Sequence, residues 1–189
     1  MERNKDTLVT RLKKGDKKAM EALFDTYSPT LFSITMRYAA CREDAEDMLQ
    51  ESMINILNGI QRFQETFDGS FEAWMKRVTM NHCLGCLRKK IGKLSVGLPG
   101  NINDETFDSD DQDLSLSELD PDKVIELIQE LPAGYRTVLN LYVFEQRPHK
   151  EIAQLLQISE NTSKSQLSKA RMLLKKKVTQ TMIYQTQQQ

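Results

Sequence analysis

No run of apolar residues in the chain approaches the roughly 18 needed for a helix to cross a bilayer, so direct membrane insertion is not expected. The first residues, MERNKDTLVTRLKKGDKK, lack the apolar stretch of a secretory signal. Cysteine is scarce as well. The odd number of three fits no disulfide framework and points to a reducing, cytoplasmic setting. No strand-like alternation of apolar and polar residues stands out. Nor is there a nucleophile–base pair, a phosphate loop or a metal cage, so neither enzymatic activity nor a catalytic residue, cofactor or metal is expected. One segment lacks charge of one sign. From Leu94 to Asp122 there is no Lys or Arg, but nine acids: Asp104, Glu105, Asp108, Asp110, Asp111, Asp113, Glu118, Asp120 and Asp122. The net charge of −1 therefore hides a basic protein. Outside that segment 26 basic residues face 18 acidic ones, a balance of +8 that suits a polyanionic partner.

What is present is helical pattern. With 39% apolar residues the chain can bury real cores. Gly15-Asp16 ends one helix and starts another, in which Ala19, Met20, Leu23 and Phe24 recur at helical spacing. Ser28-Pro29 reads as an N-cap followed by proline at the first helical position. From Glu43 to Arg62, Ala45, Met48, Leu49, Ile56 and Ile60 share a face. Gly69-Ser70 precedes a further helix from Phe71 to about Lys90. Residues 91–120 lose periodicity and have linker composition. Four helices follow, near 121–130, 133–144, 148–156 and 160–178, punctuated by Leu131-Pro132 and Arg147-Pro148. The expected fold is all-α, with two small helical domains at 1–92 and 121–178. An acidic flexible linker spans 93–120, and a frayed, glutamine-rich tail spans 179–189.

The densest signal lies between Leu131 and Lys177. Pro148 opens a short helix with Ile152, Ala153, Leu155 and Leu156 on an apolar face. A turn at Gln157–Ser159 leads to a second helix from Glu160, with Ser159 as its N-cap. There Leu167, Ala170 and Leu174 form a buried stripe. Asn161, Lys164, Ser165, Ser168 and Lys169 lie toward the other side. This is the pattern of a helix-turn-helix aimed at a DNA major groove.

Other constellations are weaker. Asp47 and Glu51, four residues apart, share an exposed helix face beside Gln50, opposite Met48 and Leu49. Phe71, Trp74 and Val78 fall on one stripe and read as core. Lys76, Arg77, Arg88, Lys89, Lys90 and Lys93 make the same helix basic enough to follow a phosphate backbone. His82-Cys83-Leu84-Gly85-Cys86 places two sulfurs at i and i+3. Zinc asks for four ligands, however, and only Cys41 and His149 remain elsewhere. Buried cysteine is also a common small core residue, so no metal is assigned.

With these motifs placed, the chain resembles a bacterial RNA polymerase sigma factor of the sigma-70 family, extracytoplasmic-function (ECF) type. The resemblance runs over about residues 8–178. EDAEDMLQESMINIL, FEAWMKRVTMN and CLRKK resemble the family's second region, and YRTVLNLYVFEQRPHKEIAQLL its fourth. It implies a factor that binds core RNA polymerase through its clamp helices and flap, and that directs initiation on double-stranded and then melted promoter DNA. Asp47, Gln50 and Glu51 would contact the clamp. Asn81, with Lys76, Arg77, Arg88 and Lys89, would meet the −10 element, and the loop Phe63–Ser70 would hold a flipped base. Asn161, Lys164, Ser165, Ser168, Lys169 and Arg171 would meet the −35 element, with Lys175, Lys176 and Lys177 adding phosphate contacts. An anti-sigma factor is a further partner the resemblance admits. Two positions depart from the family pattern. Gly85 stands where an Asp is frequent, and Ser163 stands where an apolar residue is usual, which is expected to weaken packing. The linker reads equally as a solvated tether or as a nucleic-acid mimic in the polymerase's RNA channel. The rival functions are a helix-turn-helix regulator that binds operators without core polymerase, and a cysteine-based redox or zinc sensor.

Overall fold

The computed structural model describes the backbone of residues 7–93 and 120–186, with side chains for 7–88, 120 and 122–180. The described residues are helical, with no strand among them, and the chain divides into two compact units between Arg88 and Lys89. The linker expected at 93–120 lies from 94 to 119 outside the described residues, and both readings of it lie there too.

In the first unit, α1 (Leu8–Lys13) is capped by Thr7 and buries Val9 and Leu12. Gly15, at φ 74°, makes the turn that a side chain would strain. Asp16 then caps α2 (Lys17–Tyr38), its carboxylate accepting from the backbone N–H groups of Lys18 and Ala19 at 2.9 and 3.4 Å. The hydrogen bond from Arg11 to that carboxylate, 2.8 Å, holds Asp16 below the usual carboxylate range. Helix α2 runs unbroken through Pro29, so the helix start expected at Ser28-Pro29 is not one. Ala19, Leu23, Leu31, Ile34 and Tyr38 keep a single buried register across the proline, which itself lies on the exposed side. Tertiary packing thus overrides the roughly 3 kcal/mol that a proline costs inside a helix. Phe24, placed with the core by its spacing, is 51% exposed.

Helix α3 (Arg42–Gly59) ends in a 3-10 turn at Ile60–Arg62 and buries Ala45, Met48, Leu49, Ile56 and Ile60, the expected set. Lys13 donates from Nζ to the Phe63 carbonyl at 2.6 Å, and Gln61 donates to the Lys13 carbonyl at 2.7 Å, tying α1 to that turn. Helix α4 (Ser70–Lys93) follows a turn in which Gly69 sits at φ 83°. Phe63, Phe71 and Trp74 pack against one another with centroids 5.0–5.9 Å apart, Phe71 and Trp74 stacked and Phe63 tilted against both. Trp74 is half-buried rather than enclosed and lies over Gly59 of α3.

In the second unit, Asp120 caps α5 (Pro121–Gln129), and α6 (Ala133–Leu139) continues into a π-helical turn at Asn140–Phe144. The buried Arg136 donates to the Gln129 carbonyl at 2.5 Å, fixing α6 to the end of α5. Helix α7 (His149–Leu156) stops at Gln157, φ 56°, where the Ile158 N–H bonds the Ala153 carbonyl at 3.0 Å. Helix α8 (Glu160–Thr186) buries Ser163, Leu167, Ala170, Leu174 and Val178 against α6 and α7. Its backbone continues past the expected end at 178, and residues 187–189 lie outside the described residues.

Candidate nucleic-acid interface

Helix α8 separates its two sides cleanly. Ser159 caps it, accepting from the Thr162 N–H at 2.9 Å. At about 100° per residue, Asn161, Ser165, Ser168 and Met172 form one exposed row, with Lys164 and Arg171 flanking it on one side. Lys169 is half-buried on the other flank. Lys164 reaches back to Glu160 at 3.1 Å, and the Ser165 hydroxyl donates to the Thr162 carbonyl at 3.0 Å. Arg171 lies over the Tyr142 ring, 5.7 Å from its centroid. The six expected −35 residues therefore share one end of one helix. Met172, 45% exposed in the same row, was not anticipated.

Ser163 corrects an expectation. It does not weaken packing as a misplaced polar group, because its buried hydroxyl meets His149 Nδ1 at 2.9 Å. His149 in turn stacks on Tyr142, with centroids 4.7 Å apart. This polar joint fixes α8 against α7 and the π-helical turn, and so sets the angle at which the exposed row is presented. Burial pushes the His149 pKa below the usual histidine value, and the positive charges of Lys164 and Arg171 add to this against Glu160.

Helix α4 is less regular. Arg77, Asn81 and Arg88 fall within about 40° of one another around the helix, and all three are exposed. Lys76 projects about 100° away from Arg77 and pairs with Glu72 at 2.7 Å, so it does not join that stripe. The Lys89 side chain lies outside the described residues. Gly85 sits mid-helix with open space where a Cβ would stand, so no packing requires glycine there. The loop before α4 carries Phe67, 64% exposed, next to a cleft of about 300 Å³ lined in part by Tyr27, Glu65, Asp68 and Phe71.

On α3, Asp47, Gln50 and Glu51 are exposed on one face, as expected. Ile54 continues that face at 57% exposure, an apolar residue in an otherwise polar row that spacing alone did not mark. Glu51 also meets His82 Nε2 of α4 at 3.2 Å. The two cysteines of α4 part company. Cys83 is buried, and desolvation, helped by the neighbouring Cys86, pushes its thiol up to about 12. Cys86 instead faces His82, with Sγ 3.3 Å from Nε2. The two sulfurs, at i and i+3, differ in burial. The core lies on the Cys83 side of the helix and only Cys86 reaches its edge.

Residues 23–91 match the family model of sigma-70 region 2, and residues 122–174 match that of sigma-70, region 4, together more than half of the chain. The chain is 26% identical to the RNA polymerase sigma-H factor of Pseudomonas aeruginosa over 174 residues, 87% of this chain and 88% of that one. It is 27% identical to the ECF RNA polymerase sigma factor SigW of Bacillus subtilis over 180 residues, 90% of this chain and 94% of the relative. The chain belongs to the sigma-70 family, as an ECF sigma factor. A solved structure of the sigma factor RpoE with the anti-sigma factor NepR from Bartonella quintana overlays at a TM-score of 0.48 and 18% identity, covering 84% of this chain and 96% of that one. In this sigma factor α3 and α4 lie within region 2, and α6, α7 and most of α8 within region 4. No described helix is long and apolar enough to cross a membrane.

Proposed function

We propose that this sigma factor divides initiation among three exposed helix faces, one on each of α3, α4 and α8. It binds core RNA polymerase and directs initiation at chosen promoters. Asp47, Gln50 and Glu51 on α3 face the clamp helices, with Ile54 supplying the apolar contact that a polar interface needs at its centre. Arg77, Asn81 and Arg88 on α4 follow the −10 strand, the arginines on phosphates and the amide on a base edge. A flipped −10 base enters the cleft beside the Phe63–Ser70 loop, with Phe67 offering a stacking face. On α8, Asn161, Lys164, Ser165 and Ser168 address −35 bases, and Lys169 and Arg171 address phosphates. The exposed Val143 and Phe144 give the second unit an apolar patch for the polymerase flap. The factor works in the cytoplasm without a catalytic centre of its own, and an anti-sigma factor would act by covering these faces.

The observation that carries this reading is the clean division of α8 into a buried stripe and an exposed polar row, in a chain whose other unit matches region 2. Run-off transcription with core RNA polymerase and candidate promoters tests it. Promoter-dependent transcripts should appear only when this protein is added. DNA binding without any initiation would leave an ordinary helix-turn-helix regulator.

A further inference from the structure

Helices α3 and α4 bring three side chains of different chemistry to one point at the surface of the first unit. Glu51 Oε2 lies 3.2 Å from His82 Nε2, which lies 3.3 Å from Cys86 Sγ. All three potential ligand atoms fall within 4.8 Å of one another. We propose that Glu51, His82 and Cys86 form a three-ligand site for a zinc-class divalent transition metal, with a fourth position open to solvent.

Two of the three separations are close to those of a coordination sphere, and the third is within 4.8 Å. Around a tetrahedral zinc, bond lengths of about 2.3 Å to sulfur and 2.0–2.2 Å to nitrogen or oxygen put neighbouring ligand atoms roughly 3.3–3.7 Å apart. The two measured separations fall within a few tenths of an ångström of that. His82 and Cys86 are i and i+4 on α4, so a single helix sets their geometry. Glu51 comes from α3 and is mostly exposed, so its carboxylate is free to rotate the last ångström. A thiolate, an imidazole and a carboxylate together select a borderline-soft ion over magnesium or calcium. An outer partner is also in place. Asn55 Nδ2 lies 3.2 Å from His82 Nδ1. Turned so that its oxygen faces the ring, that amide accepts the Nδ1 proton and leaves Nε2 as the ligand. Cys83 takes no part because its sulfur is in the core.

The site does not depend on the polymerase reading, although the two share Glu51. If that carboxylate also meets the clamp, a bound ion competes with core polymerase for it. Binding is therefore measured on the full chain alone. Zn²⁺ is titrated against a chromogenic chelator, and Co²⁺ is followed by its thiolate charge-transfer absorption. Stoichiometric binding and a cobalt–thiolate band are expected. Cys86→Ser should abolish the band, and His82→Gln and Glu51→Gln should each weaken Zn²⁺ binding. Asn55→Ala should weaken it by roughly 10–100-fold, the cost of losing an outer partner. Cys41→Ser, at the exposed start of α3, should change nothing. Glu51 is exposed, so its variant keeps the test independent of folding. Substoichiometric zinc, or a band that persists in Cys86→Ser, would overturn the site.

Discussion

The two helices proposed to face DNA, α4 and α8, differ in how they divide core from surface. Helix α8 packs on one side along the described length, so its buried residues recur at spacings of three and four and its exposed row runs straight. Helix α4 changes sides. Near its start Phe71 and Met75 are buried and Trp74 is half-covered, whereas near its end Cys83, Leu84 and Leu87 are the core. A helix with one set of neighbours can change its reading face without changing its fold. A helix that turns from one set of neighbours to another shares residues between the two tasks. Mutation should therefore separate binding from stability in α8 and join them in α4.

The largest test of that contrast is Trp74→Ala against Met172→Ala. Trp74 packs against Phe63 and Phe71 and lies over Gly59, so its loss should destabilise the first unit by about 3 kcal/mol and reduce promoter opening with it. Met172 is an exposed side chain on α8 and should shift stability by no more than about 0.5 kcal/mol. Thermal melts and run-off transcription on the same two variants decide the matter. A Trp74 variant that melts normally yet fails to open promoters would mean that α4 separates the tasks after all.

Helix α3 offers the next largest effect, because its exposed face is distinct from its core. Reversing Asp47 and Glu51 together to Lys should weaken core polymerase binding by roughly thirtyfold, the scale of a misplaced interface charge pair, while the unit stays folded. Direct titration of labelled factor with core enzyme gives the number. Unchanged affinity would remove these residues from the clamp face.

Smaller effects distinguish base contacts from phosphate contacts. Lys164→Ala should change the ranking of promoters that differ in the −35 element, by up to about tenfold, and leave core binding alone. Arg88→Ala should weaken all promoters alike and lower the salt dependence of binding by about one phosphate contact. If Lys164→Ala also acts uniformly, α8 positions the protein at that residue rather than reading sequence there.

Much of this was legible beforehand, for one physical reason. Caps, glycine turns and helical spacing are local, so Asp16, Gly15 and the stripe of Leu167, Ala170 and Leu174 could be read from neighbours in sequence. What was missed depended on residues far away. Pro29 carries the signature of a helix start, but the core on either side of it holds one register through the proline. Ile54 and Met172 were assigned to neither core nor contact face, because nothing local says which apolar residues the fold leaves exposed. Cys83 and Cys86 form a motif on paper. The packing of α4 buries one and leaves the other beside His82 and Glu51, and only α3 could show that. Ser163 looked like a defect until its partner His149, 14 residues away on another helix, was in view.

That last pair provides the gentlest test, one of pH. His149 is held neutral by burial among Ser163, Tyr142, Lys164 and Arg171, with Glu160 only partly offsetting the two cations, so its folded pKa lies below the unfolded value of about 6.5. At pH above 6.5 both states are neutral and the contribution to stability is fully present. As pH falls below 6.5 the unfolded chain takes up the proton first, and the contribution is lost as pH passes down through the folded pKa. The second unit should therefore melt progressively lower as pH falls below about 6.5. Replacing His149 with Gln, which cannot titrate, should flatten that slope. Melts of the full-length wild type and His149→Gln across this range, monitored at Tyr142 or another probe in the second unit, make the comparison. Equal slopes would mean that the joint between α7 and α8 tolerates a charged imidazole. The angle of the reading helix would then not depend on the His149–Ser163 bond.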